Sequence, residues 1–106
     1  MAAPPPTLRE QLTARLLALP DVELKTSPAH PHFAGFQRHG KEFAHFHGPG
    51  TLDLRLTKAR IRARRSEFAA DPRVVLRRNP SDWLEIEFRH PRDIDFVVQL
   101  VDELLG

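Results

Sequence analysis

Two histidines, His45 and His47, stand two residues apart in an apolar run, 41–47, that has the character of a β-strand. In a strand this spacing places both rings on the same face of the sheet. Neighbouring imidazoles can bind a metal ion, orient a small acidic ligand, or transfer protons near neutral pH. The spacing therefore predicts a site on this strand without specifying its substrate.

The hairpins on either side of this strand determine which residues join the histidines. A two-residue turn at 39–40 predicts the cross-strand pairs Arg38 with Lys41, Phe36 with Phe43, Ala34 with His45, and His32 with His47. A three-residue loop at 48–50 predicts the pairs His47 with Thr51, His45 with Asp53, and Phe43 with Arg55. One face would then carry a polar cluster with two aromatic neighbours: His32, His45, His47, Asp53, Arg55, Phe36 and Phe43.

The opposite face would carry apolar side chains and glycine, as a core requires: Phe33, Gly35, Ala44, Phe46, Leu52, Leu54 and Leu56. This register also places Glu42 on the core side, where we expect a structural role. A slip of one residue in either hairpin would move side chains to the wrong face, so the predicted site depends on both loop lengths.

Three interpretations of the polar cluster remain open. It is a solvated face in which Asp53 pairs with His45, or a small-molecule site in which the histidines and Arg55 bind an anionic or enolic group. In the third, His45 and His47 bind zinc or iron with His32 or Asp53. Our working hypothesis is the small-molecule site, with no metal and no cofactor expected. The sequence leaves enzymatic activity open.

If the protein is an enzyme, the residue types suggest a role for each polar group. His45 is then the first candidate for a general base, and Asp53 is its orienting partner. His47 provides a second proton or ligand contact, and Arg55 stabilises an anion. Phe36, Phe43 and His32 line the ligand pocket.

The periodicity of the chain predicts one α+β domain, residues 7–106, after a flexible proline-rich leader, residues 1–6. An antiparallel meander of about five to six strands would carry an N-terminal and a C-terminal helix on one face. The predicted helices are 7–19, 58–70 and one that begins at Pro91; the predicted strands are 22–26, 33–38, 41–47, 51–57, 74–76 and 83–88.

Composition limits the classes of partner and compartment. Cysteine is absent, and no apolar run approaches the ~20 residues that span a bilayer, so we expect a cytoplasmic protein without a membrane partner. The arginines of segment 60–78 suggest an alternative function, a nonenzymatic module that binds nucleic acid or a protein. We do not favour nucleic acid, because the net charge is only +2. The apolar C-terminal helix suggests a homodimer.

The run Lys41-Glu42-Phe43-Ala44-His45-Phe46-His47, followed by Leu52-Asp53-Leu54-Arg55-Leu56, resembles the luciferase-domain family. This family consists of small bacterial proteins of mostly unknown activity and includes the catalytic domain of fungal luciferases. The resemblance extends over roughly residues 16–105, with its most specific part at 41–56. It implies that Glu42, His45 and His47 occupy the motif positions of the family.

The resemblance also implies an activity and shows one departure. Fungal luciferases oxidise a hydroxylated pyrone with molecular oxygen, without a flavin or metal, so a cofactor-independent oxidation site is implied here. Family members commonly carry Gly-Trp and His-Pro after the middle strand, where this chain has the segment 68–73. Part of the family pocket is therefore expected to differ, and light emission is not expected.

Overall fold

The computed structural model describes residues 4–106, apart from the side chains of Pro31 and His32. The elements in chain order are α1 (Leu8–Leu17), β1 (Val22–Ser27), β2 (His30–Arg38), β3 (Lys41–Phe46), β4 (Thr51–Arg55), α2 (Lys58–Ala63), α3 (Arg65–Ala70), β5 (Val74–Val75), β6 (Trp83–Glu87) and α4 (Pro91–Leu105). The predicted α+β class is confirmed. Half of the predicted leader, residues 1–3, lies outside the described residues.

The strands form one antiparallel sheet in the order β1-β2-β3-β4-β6-β5. The first four strands are a meander, and the β5–β6 hairpin is added beside β4. His39 and Gly40 both have positive φ angles, 54° and 78°, which suit the tight turn between β2 and β3. Because β3 pairs with β2 on one side and with β4 on the other, the strand that carries His45 lies in the interior of the sheet.

The hydrophobic core joins one face of the sheet to the helices. A capping box between Thr7 and Glu10 starts α1, and Pro91 occupies the first turn of α4. The fully buried side chains of the core come from both layers: Leu12, Leu16, Phe36, Phe68, Leu52, Leu54, Leu84, Ile86, Val97 and Val101. The other face of the central strands carries the polar groups, because side chains alternate between faces along a strand.

A β-bulge in β3 makes part of the predicted register wrong. Arg38 pairs with Lys41 as expected, but Phe36 pairs with Ala44, and Gly35 pairs with His45. Phe43 is the extra residue on β3, and the pairing beyond it is shifted by one position. The predicted pair of His45 with Asp53, across β3 and β4, is confirmed.

The predicted helix over residues 58–70 is divided in two at Arg64. Ile61 from α2 and Phe68 from α3 are both buried in the core, so this part of the chain packs closely against the domain. Neither these helices nor any other in the described part of the chain has the length and apolar character needed to cross a membrane.

Candidate functional site

A buried carboxylate, that of Asp53, lies at the centre of the polar face. Its side chain is only 3% exposed, between Leu52 and Leu54, which face the core on the same strand. Oδ2 lies 3.1 Å from His45 Nε2, 3.4 Å from His47 Nδ1 and 3.4 Å from an Arg77 guanidinium nitrogen. Because burial of an unpaired carboxylate is costly, these three neighbours stabilise Oδ2, whereas Oδ1 is buried and accepts no hydrogen bond from the described residues.

His45 stands between two carboxylates. Nε2 faces Asp53, and Nδ1 lies 3.2 Å from Glu42 Oε1. Oε1 of Glu42 is buried and accepts no hydrogen bond from the described residues, so this contact is electrostatic rather than a well-aligned bond. Both ring nitrogens of His45 therefore face acceptors, and neither has a lone pair directed towards a ligand.

His47 differs from His45, because only one of its ring nitrogens faces a carboxylate. Its Nδ1 is hydrogen-bonded to Asp53 Oδ2 at 3.4 Å, while the side chain as a whole is 67% exposed. Among the described residues, Nε2 has no hydrogen-bond partner. A carboxylate that accepts the Nδ1 proton fixes the ring orientation and leaves Nε2 able to accept a proton from outside.

The bulge in β3 explains why Glu42 joins the site, contrary to the predicted position on the core side. In a regular strand Glu42 and His45, three residues apart, would lie on opposite faces, but the extra residue restores them to one face. Gly35 makes room for this arrangement. A Cβ at that position would stand 2.9 Å from Glu42 Oε1 and 3.1 Å from the Phe33 ring.

Two aromatic rings flank His45, but they are not the predicted ones. The Phe33 ring is stacked at a centroid distance of 6.4 Å, and the Trp83 ring lies at 4.7 Å. Phe36 and Phe43, which we predicted in the pocket, are buried in the core. The prediction is wrong for these two residues, and for Phe33 and Gly35 on the apolar face, because it assumed an uninterrupted ladder between β2 and β3.

Arg55 lies on the expected strand face but does not contact Asp53. Its guanidinium is 3.9 Å from Asp82, and Arg77 contacts Asp53 in its place. Glu85 also joins the site, because it pairs directly with Asp53 across β4 and β6. Sequence reasoning missed Arg77 and Glu85 as site residues.

One group of described residues has the spacing of a metal site: His47, Asp53 and Glu85 each offer a ligand atom within 4.8 Å of the others. The predicted metal ligands were His45 and His47 with His32 or Asp53, so His47 and Asp53 belong to both sets. The side chain of His32 lies outside the described residues. Arg77 places a guanidinium beside Asp53 Oδ2, and this positive charge opposes a cation at the same oxygen.

The model of the luciferase domain matches residues 40–103, which is more than half of the chain. The chain belongs to the luciferase-domain family. It matches no curated protein and no solved structure. The polar residues of the site, including His47, Asp53 and Arg77, all lie within the matched luciferase domain, whereas Phe33 and Gly35 precede it.

Asp71 and Arg73, in the segment 68–73, belong to a network of ion pairs and hydrogen bonds. Hydrogen bonds from Arg73 lower the pKa of the Asp71 carboxyl, and the Arg73 guanidinium lies 3.9 Å from the centroid of the Phe96 ring. Burial raises the pKa of Asp93, but the N–H groups of Arg89 and His90, with the charge of Arg73, lower it overall. These contacts link the chain before β5 to the start of α4.

Proposed function

We propose that the polar face of β2, β3, β4 and β6 binds a small enolic or phenolic molecule and that His47 removes its acidic proton. The observation that carries this proposal is the hydrogen bond from exposed His47 to buried Asp53. A histidine oriented by a buried carboxylate, with its second nitrogen open to solvent, is the usual arrangement of a general base.

The neighbouring groups suggest a separate role for each residue of the site. His45, between Glu42 and Asp53, holds the two carboxylates in place rather than acting as the base itself. The rings of Phe33 and Trp83 provide apolar contact for a flat ligand. We therefore assign the role of base to His47, in place of the initial assignment to His45, and retain Asp53 as the orienting carboxylate.

The proposed step is a simple proton transfer. The ligand O–H bond breaks, its proton goes to Nε2 of His47, and the electron pair remains on the ligand oxygen as an enolate or phenolate. An electron-rich anion of this kind is the form that reacts with molecular oxygen, which connects the step to the cofactor-independent oxidation expected from the family resemblance. Proton removal by a positioned histidine typically contributes about 10²–10⁴-fold to a rate.

The experiment uses 4-nitrophenol, whose phenolate absorbs visible light. At a pH below the pKa of this probe, the protein should increase phenolate absorbance in a saturable way, because His47 accepts the proton. In His47→Asn this signal should fall roughly tenfold or more, since one charge-assisted hydrogen bond is lost. Circular dichroism should show that the variant remains folded, because the His47 side chain is largely exposed.

His39→Asn is a matched control. His39 is equally exposed, at 65%, and also faces an aspartate, but that aspartate, Asp21, is exposed as well. The control should keep the full absorbance change. Equal signals in the wild type and His47→Asn, or no saturable signal in the wild type, would contradict the proposal.

A further inference from the structure

The basic residues of α2 and α3 fall into two groups that the sequence does not distinguish. Arg64 forms ion pairs with Glu67 and Glu103. Lys58 and Arg62 of α2 and Arg65 of α3 instead line the same cavity. In the described part of the chain, no carboxylate pairs with any of these three cations.

This cavity lies between α2 and the segment that links β5 to β6, and its volume is about 260 Å³. Asp82 holds the two sides together, because its backbone oxygen accepts a hydrogen bond from Thr57 N and its carboxylate accepts one from Lys58 N. The apolar part of the lining is Ile61, Val75, Leu76, Pro80, Trp83 and Leu84. Among the described residues, no aspartate or glutamate lines it.

Two residues connect the cavity to the His47 site. Trp83 lines the cavity, and its ring also lies 4.7 Å from His45. Arg77 lines the cavity, donates a hydrogen bond to Ser81 and approaches Asp53 to within 3.4 Å. Trp83 and Arg77 therefore border both the cavity and the polar site.

We propose that this cavity binds the carboxylate of a small organic acid whose flat apolar body lies against Trp83. Lys58, Arg62 and Arg65, which pair with no carboxylate of the described residues, create a local positive potential, and the apolar lining favours an organic body over a hydrated inorganic ion. This proposal names the ligand class of the proposed function. It rests on that function in one respect only, namely that the end of the ligand opposite the carboxylate lies at the polar site.

The test uses 2-naphthoate as the probe and the indole N–H signal of Trp83 as the readout in NMR. Trp83 is the single tryptophan of the chain, so the signal needs no further assignment. 2-Naphthoate should shift this signal in a saturable way, whereas the neutral amide 2-naphthamide should bind about tenfold more weakly or not at all. Arg62→Gln and Arg65→Gln should each weaken 2-naphthoate binding by roughly tenfold, as expected for the loss of one charge-assisted contact.

Arg60→Gln is the matched control, because Arg60 is exposed on the same helix but lies away from the cavity, beside Leu56 and Arg64. It removes the same charge and should leave the affinity unchanged. An equal loss in this control would show only general surface attraction and would overturn the proposal. Binding of a short single-stranded DNA without any response to 2-naphthoate would overturn it in favour of nucleic acid.

The result can be separated from that of the proposed function. A shift of the Trp83 signal without the 4-nitrophenol response would support the anion cavity and contradict the role of His47. The reverse result would contradict the anion cavity alone.

Discussion

Gly35 is the position where a small change should test the geometry of the site most directly. In Gly35→Ala the new Cβ would stand 2.9 Å from Glu42 Oε1 and 3.1 Å from the Phe33 ring, where ordinary contacts begin at 3.4 Å. The two groups must therefore retreat by about 0.5 Å and 0.3 Å. Overpacking of this kind costs roughly 1–3 kcal/mol, but Glu42 Oε1 is the end of a flexible side chain, so the cost should lie in the lower half of that range; the loss of unfolded-state freedom at glycine offsets about 0.4–1 kcal/mol of it.

We expect Gly35→Ala to lower the free energy of unfolding in urea by about 1 kcal/mol. Gly50→Ala is the control, because a Cβ there meets only the Phe88 carbonyl oxygen, at 3.5 Å, and the φ angle of Gly50 is not positive. It should change stability by less than about 0.5 kcal/mol.

A double-mutant cycle identifies the cause of the loss. Glu42→Ala removes the carboxylate that the new methyl group would meet, so it should restore part of the stability lost in Gly35→Ala, with a coupling of about 0.5–2 kcal/mol. The reasoning is refuted if Gly35→Ala costs no more than Gly50→Ala, or if the effects of Gly35→Ala and Glu42→Ala simply add.

Three further predictions test the register, a titratable group and a strained residue. Phe36→Ala should lower the free energy of unfolding in urea by about 3–5 kcal/mol, and Phe33→Ala should lower it clearly less, because Phe36 is fully buried in the core and Phe33 is not. Equal losses would contradict the bulged register. The pKa of Asp93 is lowered in the folded state, so its contribution is present at neutral pH and is lost as the pH falls. Asp93→Asn should therefore be about 1 kcal/mol less stable than the wild type at pH 7. In a pH series of unfolding curves, this difference should begin to shrink below about pH 4 and vanish as the pH falls through the lowered folded-state pKa of Asp93. A difference independent of pH would refute the assignment. Thr57 has φ 85° and ψ 151°, and its side chain makes no cap hydrogen bond. Thr57→Gly should therefore raise the midpoint of urea unfolding by relieving about 1 kcal/mol of backbone strain. A lower midpoint would show that the backbone is not strained.

The elements of the fold were largely predictable from the sequence, because their signals are local. The capping box of Thr7 and Glu10, the turn at His39-Gly40 and the proline at the start of α4 act within a few residues of the chain. The single predicted helix at 58–70 was less accurate, because the helical propensity of Arg and Ala gives no sign of the break at Arg64.

The site was predictable where it depends on one hairpin. The loop at 48–50 sets the register of β3 and β4, so the pair of His45 with Asp53 followed from loop length alone. The loop at 39–40 was not sufficient for β2 and β3, because the bulge follows the turn. The adjacent apolar residues Phe43 and Ala44, both buried, were the signal in the sequence that the alternation is interrupted.

By itself, the sequence determined the family, the α+β class and the strand that carries the two histidines, since each depends on residues close together in the chain. Only the tertiary structure brought Arg77, Trp83 and Glu85 to Asp53 and His45. These residues lie more than twenty positions farther along the chain. They reach the site because β6 pairs with β4 as well as with β5, the strand that precedes it in the chain. Strand order across a sheet depends on how the whole core packs, and no local pattern encodes it.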